Sequence, residues 1–174
     1  MIIASLDLAS AVVPAAAVMA AAFGLTPAEE LQRRDIFAEH ASHPGLIARG
    51  AFDGPTLTGF CYGFPAGDRS WWERQVHPRL AAAGAASWLS PDTLELTELH
   101  VHPAHQGHGL GRTLITAVCD ASPASRVLLS VRVESTAARH LYATLGFTEL
   151  TPAFPFNGIP PHYLLMGASQ PLLR

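Results

Sequence analysis

The apolar positions of this chain repeat with two different periods, separated by short segments rich in turn residues. Segments whose apolar residues recur every three or four positions predict helices. These segments are 8–23, 27–41, 71–83, 109–121 and 136–145. Short apolar or alternating runs predict strands. These runs are 1–6, 46–52, 57–64, 94–101, 127–133 and both ends of 147–165.

The order of these segments predicts the fold class. Asp53-Gly54-Pro55 separates two strands and predicts an antiparallel hairpin. Gly59 and Gly63 in the second of these strands predict a bulge or a close approach by another part of the chain. The strand–helix–strand order over 94–133 predicts one parallel pair in a mixed sheet, because the helix returns the chain to the same edge. We therefore expect an α/β or α+β sandwich, with a loop at 66–68.

Composition narrows the class of protein. The chain has 174 residues, 49% of them apolar and 14% charged, which favours a single packed domain over 1–174. A net charge of −3 argues against a nucleic-acid-binding protein. The eleven basic residues are all arginines. Without lysine, a lysine-dependent phosphate loop and Schiff-base chemistry are both excluded.

Cys61 and Cys119 lie far apart and form no CxxC pair, so we expect buried, reduced thiols. The apolar segment 8–23 has the hydropathy of a targeting sequence or a membrane-spanning helix, but its other features do not fit either one. Asp7 precedes it, Pro14 interrupts it and no basic residue comes before it. We interpret it as a buried helix and expect a cytoplasmic protein without a membrane-spanning segment.

The segment Gln106-Gly107-His108-Gly109-Leu110-Gly111 ends a predicted strand and begins a predicted helix. Glycine at every second position leaves the backbone amides uncovered, and the helix adds its partial positive charge. A pyrophosphate is the ligand that such a loop favours. The dinucleotide motif is excluded, because its third glycine would fall on Arg112. A helix start that only needs flexible glycines remains an alternative.

Three motifs together resemble the acyl-CoA signature of the GCN5-related N-acetyltransferase (GNAT) superfamily. They are Gln106-x-x-Gly109-x-Gly111 after a strand ending in Val-x-Pro, Ser135-x-x-Ala138-x-x-x-Tyr142-x-x-x-Gly146-Phe147, and Leu57-x-Gly59-Phe60. The resemblance covers about 45–150. It implies a mixed, mostly antiparallel central sheet with helices on both faces. It also implies that the strands at 99–101 and 127–133 splay apart.

The resemblance also implies a site for acetyl-CoA as co-substrate. The pantetheine arm would pair with the backbone of Leu99 and Val101 and pass the small Ala138. Amides of the six loop residues would hold the pyrophosphate; these are Gln106, Gly107, His108, Gly109, Leu110 and Gly111. Arg112 and Thr113 could add side-chain contacts. Ser135 stands where the family often has asparagine, which puts one pantetheine hydrogen bond in doubt.

Tyr142 matches the family tyrosine that protonates the departing thiolate, a role that suits a phenol near the sulfur. A core tyrosine on an amphipathic helix is the alternative. The acceptor amine must lose a proton before direct transfer in a ternary complex. Glu98 is the favoured base, and His100, His102 and Glu95 are alternatives. Glu98, His100 and His102 alternate along one predicted strand, so their side chains would share a face.

The histidines at 100, 102, 105 and 108 raise the question of a metal, but no acid is placed as a clear further ligand. We expect no metal there. Six aromatic residues suggest a partly apolar acceptor site, or else complete the core or an oligomer interface such as that of a homodimer. They are Trp71, Trp72, Trp88, Phe154, Phe156 and Tyr163.

Two functions fit these residues. The first is an N-acetyltransferase that acts on an amine of a small molecule or a peptide. The second is a non-catalytic acyl-CoA-binding sensor or partner subunit. Both need the glycine loop, but only the enzyme needs Tyr142 and a base.

Overall fold

The computed structural model describes residues 1–67 and 70–173. The helices are α1 (Leu8–Phe23), α2 (Pro27–Ala41), α3 (Trp71–Ala82), α4 (Leu110–Asp120) and α5 (Thr136–Thr144). The strands are β1 (Ile2–Ser5), β2 (Ile47–Asp53), β3 (Thr56–Pro65), β4 (Thr93–Val101), β5 (Arg126–Arg132), β6 (Thr148–Glu149), β7 (Phe154–Pro155) and β8 (His162–Ser169). The predicted helices and the order of the main strands are confirmed. The predicted loop at 66–68 ends on Asp68, which lies outside the described residues.

The chain divides into two compact units. Unit 1 consists of Met1–Phe64 and Thr97–Ala121, and unit 2 consists of Pro65–Leu96 and Ser122–Arg174. Strand β4 contributes its second half to unit 1 and its first half to unit 2. The expectation of a single domain over 1–174 stays a prediction.

Unit 1 has helices on both faces of its sheet. Strand β2 pairs antiparallel with β1 and with β3, and β3 neighbours β4. Phe60, Tyr62 and Phe64 of β3 form one buried cluster with α1 and with Phe37 of α2. The other face of β3 meets Leu114 of α4 at Gly59. The structure thus confirms, within this unit, a sheet covered on both sides.

The glycines of β3 predicted a bulge or a close approach, and both are found at or next to Gly59. The register with β2 shifts between Ala51 and Phe52, so the hairpin contains a bulge there. A Cβ added at Gly59 would lie 3.1 Å from the His100 carbonyl oxygen and 3.3 Å from Cδ1 of Leu114. Glycine at this position therefore allows β3, β4 and α4 to approach closely.

Unit 2 contains the predicted parallel pair. Residues Thr93–Glu95 of β4 run parallel to Arg126–Leu128 of β5, and β8 pairs antiparallel with β5, β6 and β7. Helix α3 packs Val76 and Leu80 into a core with Leu128 and Leu165. The fold is mixed α/β, and the strand pairs are mostly antiparallel with one parallel pair, as expected.

Helix starts follow their sequence signals. The Thr26 side chain accepts from the Glu29 amide, and the Glu29 carboxylate accepts from the Thr26 amide, which completes a capping box. Helix α1 packs Leu8, Ala15, Ala16, Val18 and Met19 into the core of unit 1. Among residues 1–67 and 70–173, no helix has the length and hydropathy needed to cross a membrane.

Candidate functional site

The loop between β4 and α4 has the open backbone that its glycines predict. Gly107 and Gly109 adopt φ angles of 80° and 78°, in the left-handed region that favours glycine. A Cβ added at either position meets no protein atom within 4 Å. This side of the loop is therefore space into which an anion can approach the main chain.

The start of α4 supplies amide donors beside this loop. Gly109 is the N-cap and has no side chain to accept from the first amides of the helix. The Thr113 amide is bonded to the Gly109 carbonyl at 3.1 Å, so the amides before it have no partner within the helix. The inner face of α4 is buried and holds the helix against the rest of unit 1; its residues are Leu110, Leu114, Ile115, Val118 and Cys119. A fixed helix N-terminus of this kind favours a phosphate.

Gln106 ties the loop to the end of β4. Its Nε2 donates to the Val101 carbonyl at 2.9 Å. The sequence suggested amide contacts for Gln106, but not this side-chain role. One lone pair of the Val101 carbonyl is thereby occupied, and the carbonyl keeps its second acceptor site.

Glu98 and His100 form a close pair on β4, as the alternation predicts. Glu98 Oε2 lies 2.5 Å from His100 Nε2, and the side chains are only 16% and 6% exposed. With Glu98 ionised, Nε2 must donate, and the neutral imidazole keeps its lone pair on Nδ1. The geometry is that of a base whose ring is held by a carboxylate.

Two phenylalanines enclose the imidazole of His100. The rings of Phe23 and Phe60 each have centroids 5.3 Å from the His100 ring, at interplanar angles of 70° and 46°. Phe23 ends α1 and is 45% exposed, whereas Phe60 is fully buried. Sequence reasoning missed both contacts, because no local pattern connects the end of α1 to a residue of β4.

His102 acts as a cap rather than as part of the pair. It follows the last residue of β4, its amide donates to the Thr58 carbonyl at 2.9 Å, and its Nδ1 accepts from the Ala104 amide at 3.3 Å. Within the described ranges, no three His, Cys, Asp or Glu side chains come close enough together to hold a metal ion.

The two thiols of unit 1 are free and buried, which confirms the expectation for Cys61 and Cys119. Burial raises the pKa of Cys61 well above its usual value, and the charges of Cys119 and Glu98 add to the effect. Burial also raises the pKa of Cys119 to about 12. Both sulfurs are therefore held as thiols, the form that is a poor nucleophile.

The second motif lies in unit 2 and begins at the N-terminus of α5. Ser135 is the N-cap, and its side chain caps no amide. Ala138 is half-buried, and Tyr142 is buried with its ring 5.6 Å from that of Phe147. Glu95, an alternative base, belongs to this unit as well and is 5% exposed.

Most of the aromatic residues complete the core of unit 2. Trp72, Trp88, Phe154, Phe156 and Tyr163 pack in one cluster with α3. Trp72 Nε1 also donates to the Ser130 hydroxyl at 3.2 Å, a structural partner for a half-buried indole. Trp71 is the exception, since it is 50% exposed and is absent from this cluster, although its ring lies 5.5 Å from that of Phe156. The aromatic residues thus give little evidence about an acceptor.

Comparison with known proteins agrees with this geometry. The acetyltransferase (GNAT) family matches residues 17–147. A GCN5-like protein acetyltransferase of Mycobacterium tuberculosis is 33% identical over 142 residues, which cover 78% of this chain and 69% of that protein. The N-alpha-acetyltransferase RimI of the same organism is 39% identical over 60 residues, 34% of this chain and 38% of that one.

A solved structure shares the fold along almost the whole chain. The yncA protein of Salmonella typhimurium, a putative acetyltransferase crystallised with its cofactor acetyl-CoA, has a TM-score of 0.66 and 21% identity. The match covers 97% of this chain and 93% of that one. With the family match over three quarters of its length, the chain belongs to the acetyltransferase (GNAT) family.

Proposed function

We propose that this protein transfers an acetyl group from acetyl-CoA to an amine of a small molecule or a peptide, directly in a ternary complex. The observation that carries the proposal is the loop at 106–111. Its two left-handed glycines and the uncapped start of α4 lie inside the segment that matches the family. Acetyl-CoA supplies a thioester whose carbonyl an amine can attack.

We assign the cofactor contacts residue by residue from the resemblance. The amides of Gln106 to Gly111 hold the pyrophosphate, with Arg112 and Thr113 as side-chain neighbours. The backbone of Leu99 and Val101 pairs with the pantetheine arm. Ser135 and Ala138 contact the same arm. The open space beside Gly107 and Gly109 supports the first of these assignments.

The Glu98–His100 pair is assigned the role of base. The proton of the amine passes to the imidazole, which the Glu98 carboxylate holds in one orientation. The nitrogen then forms a bond to the acetyl carbon while the carbon–sulfur bond breaks. Tyr142 donates its phenolic proton to the departing thiolate, and the second proton that the acetylated nitrogen loses restores the phenol. The protonated state of both cysteines supports transfer without an acetylated thiol.

The relatives suggest the class of acceptor. The related Mycobacterium tuberculosis proteins are described as a protein acetyltransferase and an N-alpha-acetyltransferase. A Salmonella typhimurium relative, 37% identical over 83 residues, is described as an L-methionine sulfoximine/L-methionine sulfone acetyltransferase. We therefore propose an α-amine, either of a peptide or of an amino-acid-like molecule. A cytoplasmic location and a homodimer stay predictions.

The proposal is tested by thiol release from acetyl-CoA in the presence of a panel of α-amines. We expect release that depends on the amine, and about a 100-fold lower kcat for Tyr142→Phe with an unchanged Kd for acetyl-CoA. Phenylalanine keeps the buried ring and removes only the hydroxyl. Tight binding of acetyl-CoA without turnover on any amine would instead favour a non-catalytic acyl-CoA binder.

A further inference from the structure

A surface pocket lies wholly within unit 2. Its volume is about 620 Å³, and it is lined by Val133, Glu134, Ala153, Pro160, Pro161 and His162. Pockets that bind small molecules have volumes of about 300 to 1,000 Å³. None of the lining residues takes part in the chemistry proposed above. The pocket therefore has the size of a binding site to which the acetyl transfer itself gives no role.

Hydrogen bonds hold the walls of this pocket together. The Val133 amide donates to the His162 carbonyl at 2.9 Å, which joins the end of β5 to the start of β8. The Val133 carbonyl accepts from the Arg139 guanidinium of α5 at 3.1 Å. Ala153 comes directly before β7, whose two residues pair with β8. The pocket is therefore formed before a ligand arrives, which lowers the entropy cost of binding.

Most of the lining is apolar and rigid. Val133, Ala153, Pro160 and Pro161 carry no polar side-chain atom. Alanine and proline side chains also lose no rotamer freedom when a ligand covers them. Methylene groups, such as those in the stem of an arginine side chain, pack well against a lining of this kind.

The polar side chains of the lining are those of Glu134 and His162, and both are exposed. In the part of the chain that the structure describes, the Glu134 carboxylate makes no hydrogen bond or ion pair. Only the main-chain carbonyl of Glu134 is engaged, by the Thr136 amide at 2.8 Å. Arg139 of α5 does not neutralise Glu134, because it is paired with Glu149 at 2.8 Å. The Glu134 carboxylate thus keeps both oxygens for a ligand.

We propose that this pocket binds a cationic side chain of the acceptor, a guanidinium on an aliphatic stem, and so selects among α-amines. The inference rests on the proposed function. Glu134 directly precedes Ser135, the N-cap of α5 that is assigned to the pantetheine arm, so the pocket adjoins that assignment along the chain. A guanidinium forms two parallel hydrogen bonds with a carboxylate, and its stem would cover the apolar lining.

The test compares acceptors that differ in charge and little else. Citrulline has the stem of arginine and a planar polar head group, but it is neutral. We measure kcat/KM for acetylation of dipeptide amides that carry arginine or citrulline at the first or the second position. We expect kcat/KM to be about fivefold higher for arginine at one position, through KM and not kcat, because an exposed ion pair contributes modestly. The preference should fall below about twofold in about 0.5 M NaCl.

Variants of Glu134 separate this role from a structural one. Glu134→Gln keeps the shape of the side chain and should reduce the preference below about twofold, with kcat/KM for the citrulline peptide unchanged. Glu134→Arg should reverse the preference, because it repels a guanidinium. A purely structural role would instead change kcat/KM for both peptides equally. Glu39→Gln is the matched control, since Glu39 is exposed on α2 of unit 1, and it should behave as the wild type.

Equilibrium binding tests the pocket independently of turnover. The Kd of the same peptides is measured by titration calorimetry, with and without CoA. A tighter Kd for arginine that Glu134→Gln abolishes would support the pocket even if no amine were acetylated, an outcome that would contradict the proposed function alone. Equal Kd and equal kcat/KM for the arginine and citrulline peptides would overturn the role of the pocket and leave the proposed function standing. A preference that survives in Glu134→Gln would do the same.

Discussion

At the scale of single residues, one hydrogen bond decides which nitrogen of His100 can accept a proton. Glu98 occupies Nε2, and the rings of Phe23 and Phe60 hold the plane of the imidazole. The carboxylate and the imidazole are therefore expected to act as one unit. Residues that act together lose their effect together when either is removed.

A double-mutant cycle tests this coupling. We expect Glu98→Gln and His100→Gln each to lower kcat by about 100-fold, because each removes the oriented base. The double variant should be little worse than either single one. The measurement is kcat and KM for acetyl-CoA and for the amine.

His102→Gln serves as the control, because His102 caps a turn and lies outside the pair. It should leave kcat within about threefold of the wild type. Independent, multiplicative losses for Glu98→Gln and His100→Gln would show that the two residues do not act as a unit.

The sequence predicted this pair only in part. Alternation along β4 placed Glu98 and His100 on one face, because strand geometry is periodic. The contact with Phe23 was missed, since it depends on how the end of α1 packs against β4. The cap formed by His102 was also missed, because it depends on where the strand ends.

At the scale of elements, the loop at 106–111 and the start of α4 carry the assignment of the cofactor. A residue with a Cβ in the left-handed region costs about 1 kcal/mol. If the backbone relaxed to relieve that strain, the loop amides that follow would no longer point toward one ligand. The loop therefore needs glycine for its shape, and the same glycine leaves room for a ligand.

Gly109→Ala tests this requirement. We expect it to lower the free energy of unfolding by about 1 kcal/mol and to raise the Kd of acetyl-CoA by about tenfold. Gly84→Ala is a matched control, because Gly84 has a φ of 72° and equally open surroundings at the end of α3. It should show the same loss of stability and an unchanged Kd. Equal Kd values for the two variants would contradict the assignment.

The starts of the parallel strands are joined by a carboxylate. Asp92, just before β4, accepts from the amide and the hydroxyl of Ser125, just before β5. The Ser125 hydroxyl and then its amide lower the pKa of Asp92. Because the pKa of Asp92 is lower in the folded state, the stabilisation is present above the usual carboxyl pKa of about 3.9 and is lost as the pH falls through the lowered pKa.

Asp92→Asn should therefore melt at a lower temperature than the wild type at pH 7. The difference should disappear as the pH falls through the lowered pKa of Asp92, because the wild-type carboxyl is then protonated as well. Asp35→Asn, at an exposed position of α2, is the control. A Tm difference for Asp92→Asn that does not change with pH would contradict the explanation.

Long elements were predictable and short ones were not. The pattern predicted helices α1, α2 and α4 and the hairpin of β2 and β3, because each contains many residues with a constant period. Capping residues and turn residues marked where these elements begin and end. Strand β7 has two residues and the 3₁₀ turns have three each, so no period can be recognised.

At the scale of the whole molecule, the motifs shared with the family concern the site for acetyl-CoA, the acetyl donor. They say far less about the site for the acceptor amine. The family match ends at residue 147, and the aromatic residues that suggested an acceptor mostly fill the core of unit 2. Hydrophobic composition could not distinguish these two uses, because a core residue and a pocket residue look alike in sequence. Transfer of the acetyl group is therefore proposed from the donor side, and an α-amine is the proposed class of acceptor.

The most direct test of that claim follows the acetyl carbon. The protein is incubated with acetyl-CoA labelled with ¹³C at the acetyl carbonyl and with a panel of peptides and amino-acid-like amines. Products and intact protein are then analysed by mass spectrometry. We predict labelled acetyl-amine in equal amount to released CoA, and no labelled protein. Saturable binding of acetyl-CoA with no labelled amine, or label retained on a cysteine, would contradict the account.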